Sequence, residues 1–444
     1  MKIQPALFHV STPPSASPAA TPGGDRFLPG LPSSLEGLSP AQVAELVRSD
    51  MGPLETWVAQ VPAGTHTAPA LGPDGTVYVP TKSGISALRS DGSPKWTWEG
   101  SAETGAPPAV LADGSVLASG GPEGPGLVKI AADGTTLWKR DLPAAEEPPA
   151  PLPGGGAYYA DYAGTLHRLE EDGTSAWAWK APDGEYGGTH LNGGPAVLAD
   201  GSAVVIADPG ALHAVNPDGS PKWTRFAGGE EGQVATVRQP RVTPDGALLV
   251  TGQDELYCLD PATGQTRWQY LAGEGKRFDQ LTPEEQADHT SWGNTLMSGS
   301  PQLSPDGQTI YVAGTNGRVT ALDRAGNRKW EVELDQHGYH EPCTVGEDGN
   351  VYFAGTQGTV HALSPEGRRL WTFHPKDSSQ YAFVAARGDT VYLSTSEGRV
   401  HALSHQSLRK RLERAEREGL PAKVELTDAE VIIGGISLKR RPVG

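Results

Sequence analysis

The chain has 444 residues, including 57 glycines and 39 prolines, with 37% hydrophobic and 20% charged residues; that balance excludes wholesale disorder and suits many short strands separated by tight turns. A formal charge of -17 disfavours nucleic acid as a partner, because counterion release from a phosphate backbone needs clustered Lys and Arg. The two cysteines, Cys258 and Cys343, lie far apart in strand-like contexts, which leaves a disulfide framework or cysteine metal site little to build on and reads as two buried thiols.

Residues 1–38 are rich in Pro, Ser and Gly and read as a disordered tail. The opening Met1-Lys2-Ile3-Gln4-Pro5 leads into neither an apolar run of signal-peptide length nor a lipobox cysteine, and no later segment has the length of a membrane span. The expected location is the cytoplasm, with the cell envelope as the alternative. In the lead-in over 39–53, Ser39 to Arg48 has the cap, first-turn proline and apolar spacing of a short helix, expected to pack on the rim of the folded body.

From residue 54 onward one pattern recurs: a turn ending in glycine, three residues, then tryptophan. It places Trp96, Trp138, Trp177, Trp223, Trp268, Trp330 and Trp371 after Gly92, Gly134, Gly173, Gly219, Gly264, Gly326 and Gly367. The tryptophans stand about 40 to 45 residues apart, with one longer interval between Trp268 and Trp330, and such a period in a strand-rich chain means a propeller. Each unit reads as a short proline-bearing inner strand such as Ala68-Pro69-Ala70-Leu71, a second strand such as Thr76-Val77-Tyr78-Val79, an alternating third such as Gly317 to Leu322, and the tryptophan-led fourth. Repetition at one position per blade assigns the tryptophans to docking between blades, and the same rule assigns His167, His213, His361 and His401, which share one strand position with Tyr257, to packing.

The unit from Tyr381 to Leu403 has three strands and no tryptophan strand after it. Its missing outer strand is expected from Leu54-Glu55-Thr56-Trp57-Val58-Ala59, so that Trp57 becomes the eighth docking tryptophan and the ring closes without a bare edge. The fold expected is therefore all-β, an eight-bladed β-propeller over 54–404, closed by an N-terminal strand and flanked by short helices. In the remainder, 405–444, Ser407 to Glu418 mixes Arg and Glu at helical spacing with a solvated face, and Val431 to Leu438 reads as a strand pair or a partner-docking segment.

Connections between the outer strand of one blade and the inner strand of the next converge on the mouth of the central channel, and function belongs there. They carry His66, Tyr186, His190, Arg238, Gln239, His289, Trp292, His337, Tyr339, His340, Glu341 and Tyr381, the candidate ligand or partner contacts; half of the twelve histidines fall in these connections. The longest insertion, 273–299, holds His289 and Trp292 and a capped helical turn at Thr282-Pro283-Glu284-Glu285-Gln286; it reads as a lid, a partner surface or a decorative loop. Only His337 and His340 are closely spaced, so no metal site is expected.

The segment Leu256 to Trp268, with Leu259-Asp260-Pro261-Ala262-Thr263-Gly264 ahead of its tryptophan, closely resembles the pyrroloquinoline-quinone-like repeat, and the resemblance spans about residues 54–404. That family implies either a quinoprotein dehydrogenase, with quinone and calcium at the channel mouth, or a non-catalytic propeller similar to the lipoprotein of the outer-membrane barrel-assembly machinery. The vicinal cysteine pair, the Glu/Asn/Asp calcium set and the catalytic aspartate of alcohol-oxidising quinoproteins have no match in this sequence, and neither does the lipoprotein's modified cysteine. The function expected is a monomeric scaffold that binds a protein or peptide, or a glycan, without a cofactor; a quinone-dependent oxidoreductase is the alternative.

Overall fold

The computed structural model describes residues 53–62, 67–100, 106–119, 126–145, 147–182, 190–207, 210–226, 239–252, 255–272, 282, 299–314, 316–334, 338–355, 358–375 and 382–404, and short strands within 424–439. Two compact units emerge: Glu55–Leu403, and Met1–Leu54 together with Ser404–Gly444.

The larger unit is an eight-bladed propeller. From inner to outer strand, blade 1 comprises Ala70–Leu71, Val77–Thr81, Gly84–Leu88 and Pro94–Glu99, and blade 2 comprises Ala109–Val110, Val116–Ser119, Leu127–Ile130 and Thr136–Arg140. Blade 3 is Ala150–Pro151, Ala157–Ala160, Thr165–Leu169 and Ser175–Lys180; blade 4 is Leu191–Val197, Ala203–Ala207, Ala211–Val215 and Pro221–Phe226. Blade 5 is Arg241–Val242, Leu248–Thr251, Glu255–Leu259 and Thr266–Leu271; blade 6 is Gln302–Leu303, Thr309–Ala313, Arg318–Asp323 and Arg328–Glu333. Blade 7 is Gly338–Val345, Val351–Gly355, Val360–Leu363 and Arg369–Phe373. Blade 8 takes Ala382–Arg387, Thr390–Thr395 and Arg399–Ser404 from the end of the repeat and Leu54–Gln60 from its start.

That last pairing is the ring closure the sequence predicts. Val61 N–H donates to the Gly398 carbonyl at 2.8 Å, Thr56 Oγ1 to the Ala402 carbonyl at 3.1 Å, and Glu55 Oε1 meets His401 Nδ1 at 2.8 Å. The smaller unit holds an antiparallel sheet of Val424–Leu426, Glu430–Ile433 and Ile436–Lys439, one strand more than the pair expected over 431–438. The helices expected over 39–48 and 407–418, the turn at 283–286 and nearly all of the insertion 273–299 lie outside the described residues.

The core consists of layers between blades. Second strands are buried on both faces, which explains their near-continuous apolar runs: Val77–Thr81 and Ala203–Ala207 are buried throughout. Each interface gathers one cluster, as between blades 4 and 5, where Val204, Ile206 and Leu212 meet Leu248, Val250 and Tyr257. Outer strands alternate between half-buried and exposed, as in Ser175–Lys180, and so carry the polar residues.

The tryptophan and the glycine of the repeat are two halves of one joint. Trp138 Nε1 donates to the Glu171 carbonyl at 2.9 Å in the outer turn of the next blade, and a Cβ on Gly173 of that turn would lie 2.6 Å from the Trp138 ring. Trp57, Trp96, Trp177, Trp223, Trp268 and Trp330 donate to the next turn in the same way, at 2.8 to 3.1 Å. Gly173 also has φ +78°, so it is needed both for the turn and for the space. Trp371 is buried against Tyr352, ring centroids 5.8 Å apart.

Candidate functional site

Six blades open with an inner strand that pairs in simple register; blades 4 and 7 do not. In Leu191–Val197 the register jumps at Leu191/Gly193 and again at Gly193/Ala196, so Asn192, Gly194 and Pro195 have no partner across the ladder. In Gly338–Val345 it jumps from Gly338↔Gly355 to Cys343↔Phe353, leaving Tyr339, His340, Glu341 and Pro342 outside the pairing. Bulges of this kind re-aim side chains and free main-chain groups, and they concentrate beside functional sites. Inner strands have no neighbour toward the ring axis, so these backbone irregularities belong to the channel.

Side chains from neighbouring blades close on the blade 4 bulge. A Cβ on Gly194 would lie 2.9 Å from Glu147 Cβ, 3.3 Å from Gln239 Nε2 and 3.4 Å from the Pro148 carbonyl. Gln239 Nε2 reaches the Pro195 carbonyl at 3.4 Å. Glu147, leading into blade 3, and the Gln239 amide, leading into blade 5, thus lie against the Gly194 backbone in blade 4. Any side chain at position 194 would have to displace one of them.

His190 enters the same strand from the preceding connection. Its Nδ1 lies 2.6 Å from the Tyr162 carbonyl in the second turn of blade 3, and its ring stands edge-on to Tyr162 at 6.2 Å. His190 therefore pins the connection to the neighbouring blade while its ring stays exposed. Beneath it, Asp161 is almost fully buried and accepts from Thr165 N–H at 2.8 Å, with His167 Nε2 at 2.8 Å.

His167 departs from the histidines of its slot for a readable reason. In blades 4 and 7 the slot histidine places Nδ1 on the outer-strand threonine, His213 to Thr224 at 2.9 Å and His361 to Thr372 at 3.1 Å. In blade 3 the position opposite His167 is Ala178, which offers no acceptor, and the ring engages Asp161. Burial pushes the His213 imidazole down to about 4, so it is neutral at physiological pH.

Of the sequence candidates, His190 and Gln239 are brought to the blade 4 mouth, and the bulge of blade 7 contains Tyr339, His340 and Glu341 as backbone positions. His66, Tyr186, Arg238, His289, Trp292, His337 and Tyr381 lie outside the described residues. Glu147, Gly194 and Tyr162 are missed by sequence reasoning, although Asn192-Gly193-Gly194-Pro195 is itself a signal that an inner strand departs from the repeat. Cys258 and Cys343 are buried in blades 5 and 7, and among the described residues no three His, Cys, Asp or Glu stand together as metal ligands.

A family model described as outer membrane protein assembly factor BamB matches residues 125–289 and 282–419, more than half of the chain. The chain belongs to the BamB family. The crystal structure of BamB from Moraxella catarrhalis is similar at 17% identity and TM-score 0.58, covering 79% of this chain and 99% of that one. The C-terminal WD40 domain of Sif2 is similar at 10% identity and TM-score 0.59, covering 79% and 98%. At these identities the likeness to both structures is one of fold. No curated protein matches the sequence.

Proposed function

We propose that this BamB-family propeller is a non-catalytic scaffold that holds an extended protein or peptide segment at the mouth of its channel. The observation that carries the reading is the pair of register-broken inner strands, 191–197 and 338–345, which leave Asn192, Gly194 and Pro195, and residues 339–342, out of the ladder where the other blades show regular pairing. Main-chain groups supply affinity for an extended chain irrespective of its sequence, and flanking side chains, with Glu147 and Gln239 at blade 4, supply selectivity. The family's name gives the reading its context, since BamB is an assembly factor for outer-membrane proteins. The proposed role requires no cofactor.

The test is capture of denatured polypeptide segments from a peptide array, comparing the unmodified protein with Glu147→Ala combined with Gln239→Ala. Binding of a common set of peptides, weakened about tenfold or more by the double variant, is expected, the loss corresponding to one or two flanking contacts. An unaltered peptide set and affinity would remove the blade 4 mouth from the function.

A further inference from the structure

One turn of blade 3 joins the two connections that meet at the blade 4 mouth. It runs from Asp161 to Gly164, between Ala157–Ala160 and Thr165–Leu169. Tyr162 N–H donates at 2.8 Å to the Ala144 carbonyl, in the connection 141–149 that carries Glu147. The Tyr162 carbonyl accepts from His190 Nδ1 at 2.6 Å and the Gly164 carbonyl from Ala181 N–H at 2.9 Å, at the two ends of the connection 181–190. A single short turn is thus tied to the chain entering blade 3 and to the chain entering blade 4.

What fixes this turn is buried. Asp161 is 1% exposed, and its carboxylate accepts from Thr165 N–H and from His167 Nε2, both at 2.8 Å. Tyr159, its ring 6.2 Å from the His167 ring, brings its hydroxyl within 2.8 Å of the Pro143 carbonyl, in the same connection as Ala144. A buried carboxylate is costly unless its partners replace the lost water. The register of the other blades puts a threonine, a glycine or an alanine at this position, as at Thr81, Gly314 and Ala207, so the repeat itself does not call for the charge. Thr395 in blade 8 shows what an uncharged residue does there: its Oγ1 accepts Arg399 N–H at 3.1 Å, the same bond that Asp161 makes with Thr165. The added property of Asp161 is its reach to His167. In blades 4 and 7 the histidine of that slot engages an outer-strand threonine instead.

We propose that the Asp161–His167 pair is the positioning element of the blade 4 mouth: it seats the Tyr162 turn so that the connection carrying Glu147 is aligned with the one that delivers His190 and Gly194. Its bearing on polypeptide capture rests on the function proposed for that mouth, whereas the clamp itself can be tested without a ligand.

Asp161→Thr in the full chain separates the two bonds of the carboxylate, since threonine keeps the turn bond, as Thr395 does, and cannot reach His167. It is expected to speed hydrogen exchange of the Tyr162, Gly164 and Ala181 amides about tenfold, and to speed cleavage within 141–149 by a glutamate-specific protease, with exchange in the blade 7 strands 351–355 and 360–363 unchanged. Asp161→Asn, which can meet both Thr165 N–H and His167, is expected to return exchange to within about threefold of the unmodified protein. On the peptide array, Asp161→Thr is expected to weaken capture about tenfold and Asp161→Asn to restore it. Loosened amides with undiminished capture would uphold the clamp and remove the blade 4 mouth from polypeptide binding. Amides and cleavage unaltered by Asp161→Thr, or loosening spread evenly around the ring, would overturn the proposal.

Discussion

A single Cβ decides whether two blades of this ring can touch. At Gly173 the added carbon would stand 2.6 Å from the Trp138 ring on a backbone at φ +78°, whereas Gly246, at φ +85°, has nothing within 4 Å. Gly246→Ala carries only the cost of a left-handed backbone, about 1 kcal/mol. Gly173→Ala adds a collision that must push the indole out of its seat, and truncating a docked tryptophan costs about 3 to 5 kcal/mol by itself. Urea unfolding of the two glycine variants is expected to separate them by about 2 kcal/mol or more, and Gly173→Ala on a Trp138→Ala background is expected to cost no more than Gly246→Ala, since the clash has then gone. The repeat displays both residues of this joint, but their partnership across blades becomes visible only when the glycine of one unit is seen beneath the tryptophan of the unit before. His213 adds a pH dependence of its own. Because burial lowers its pKa from 6.5 to about 4, the unfolded chain takes up a proton first as pH falls, so stability is full above about 6.5 and declines toward 4. His213→Gln, which can still reach Thr224, is expected to flatten the melting temperature between pH 6.5 and 4; an unchanged slope would mean that another group titrates there.

At the scale of the strand, the outer strand of blade 8 is borrowed, and its loss leaves the third strand Arg399–Ser404 as an open edge with an exposed apolar flank. Deleting residues 1–60 removes Trp57, its contact with Tyr392 at 5.9 Å, and the Thr56 and Glu55 bonds to Ala402 and His401. A fall in melting temperature and concentration-dependent aggregation in light scattering are expected, because an unpaired edge recruits other chains. Restoring a synthetic peptide of residues 53–62 in trans is expected to reverse both. The fold was legible at this scale because period, turn chemistry and alternation agree in every unit, and because an unfinished last unit and an orphan tryptophan strand name each other. The site was legible only in part. His190 and Gln239 stand out as polar residues in connections, but the register breaks that set the mouth depend on how far each inner strand runs before its second strand captures it. Proline and glycine in Leu191–Val197 hint at that irregularity without fixing its register.

For the whole ring, acid stability is a property of repetition. The turns between strands use an aspartate whose carboxylate accepts the N–H two residues on, and usually the hydroxyl of the same Ser or Thr: Asp133 with Thr135, Asp172 with Thr174, Asp218 with Ser220. Hydrogen bonds of this kind hold these carboxyls below the ordinary aspartate value. Two go farther. Asp74, bonded by Thr76 and by the Lys95 ammonium at 3.0 Å, is drawn down to about 2. At Asp200 burial pulls upward, yet Lys222 and Ser202 outweigh it and bring the carboxyl to about 2 as well. A depressed carboxyl stabilises the fold above its unfolded pKa near 3.8 and loses that contribution as pH falls toward 2, so each turn withdraws support over the same interval. Because the blades close on one another, these losses fall on a single cooperative object, and a steep drop in melting temperature is expected between pH 4 and 2, below the shallower decline set by His213. Asp74→Asn with Asp200→Asn retains an acceptor in both turns but has no proton to gain; it is expected to lower the melting temperature at pH 7 and to reduce the drop between pH 4 and 2. A double variant with an unaltered acid slope would show that the turns do not carry the acid sensitivity of the ring.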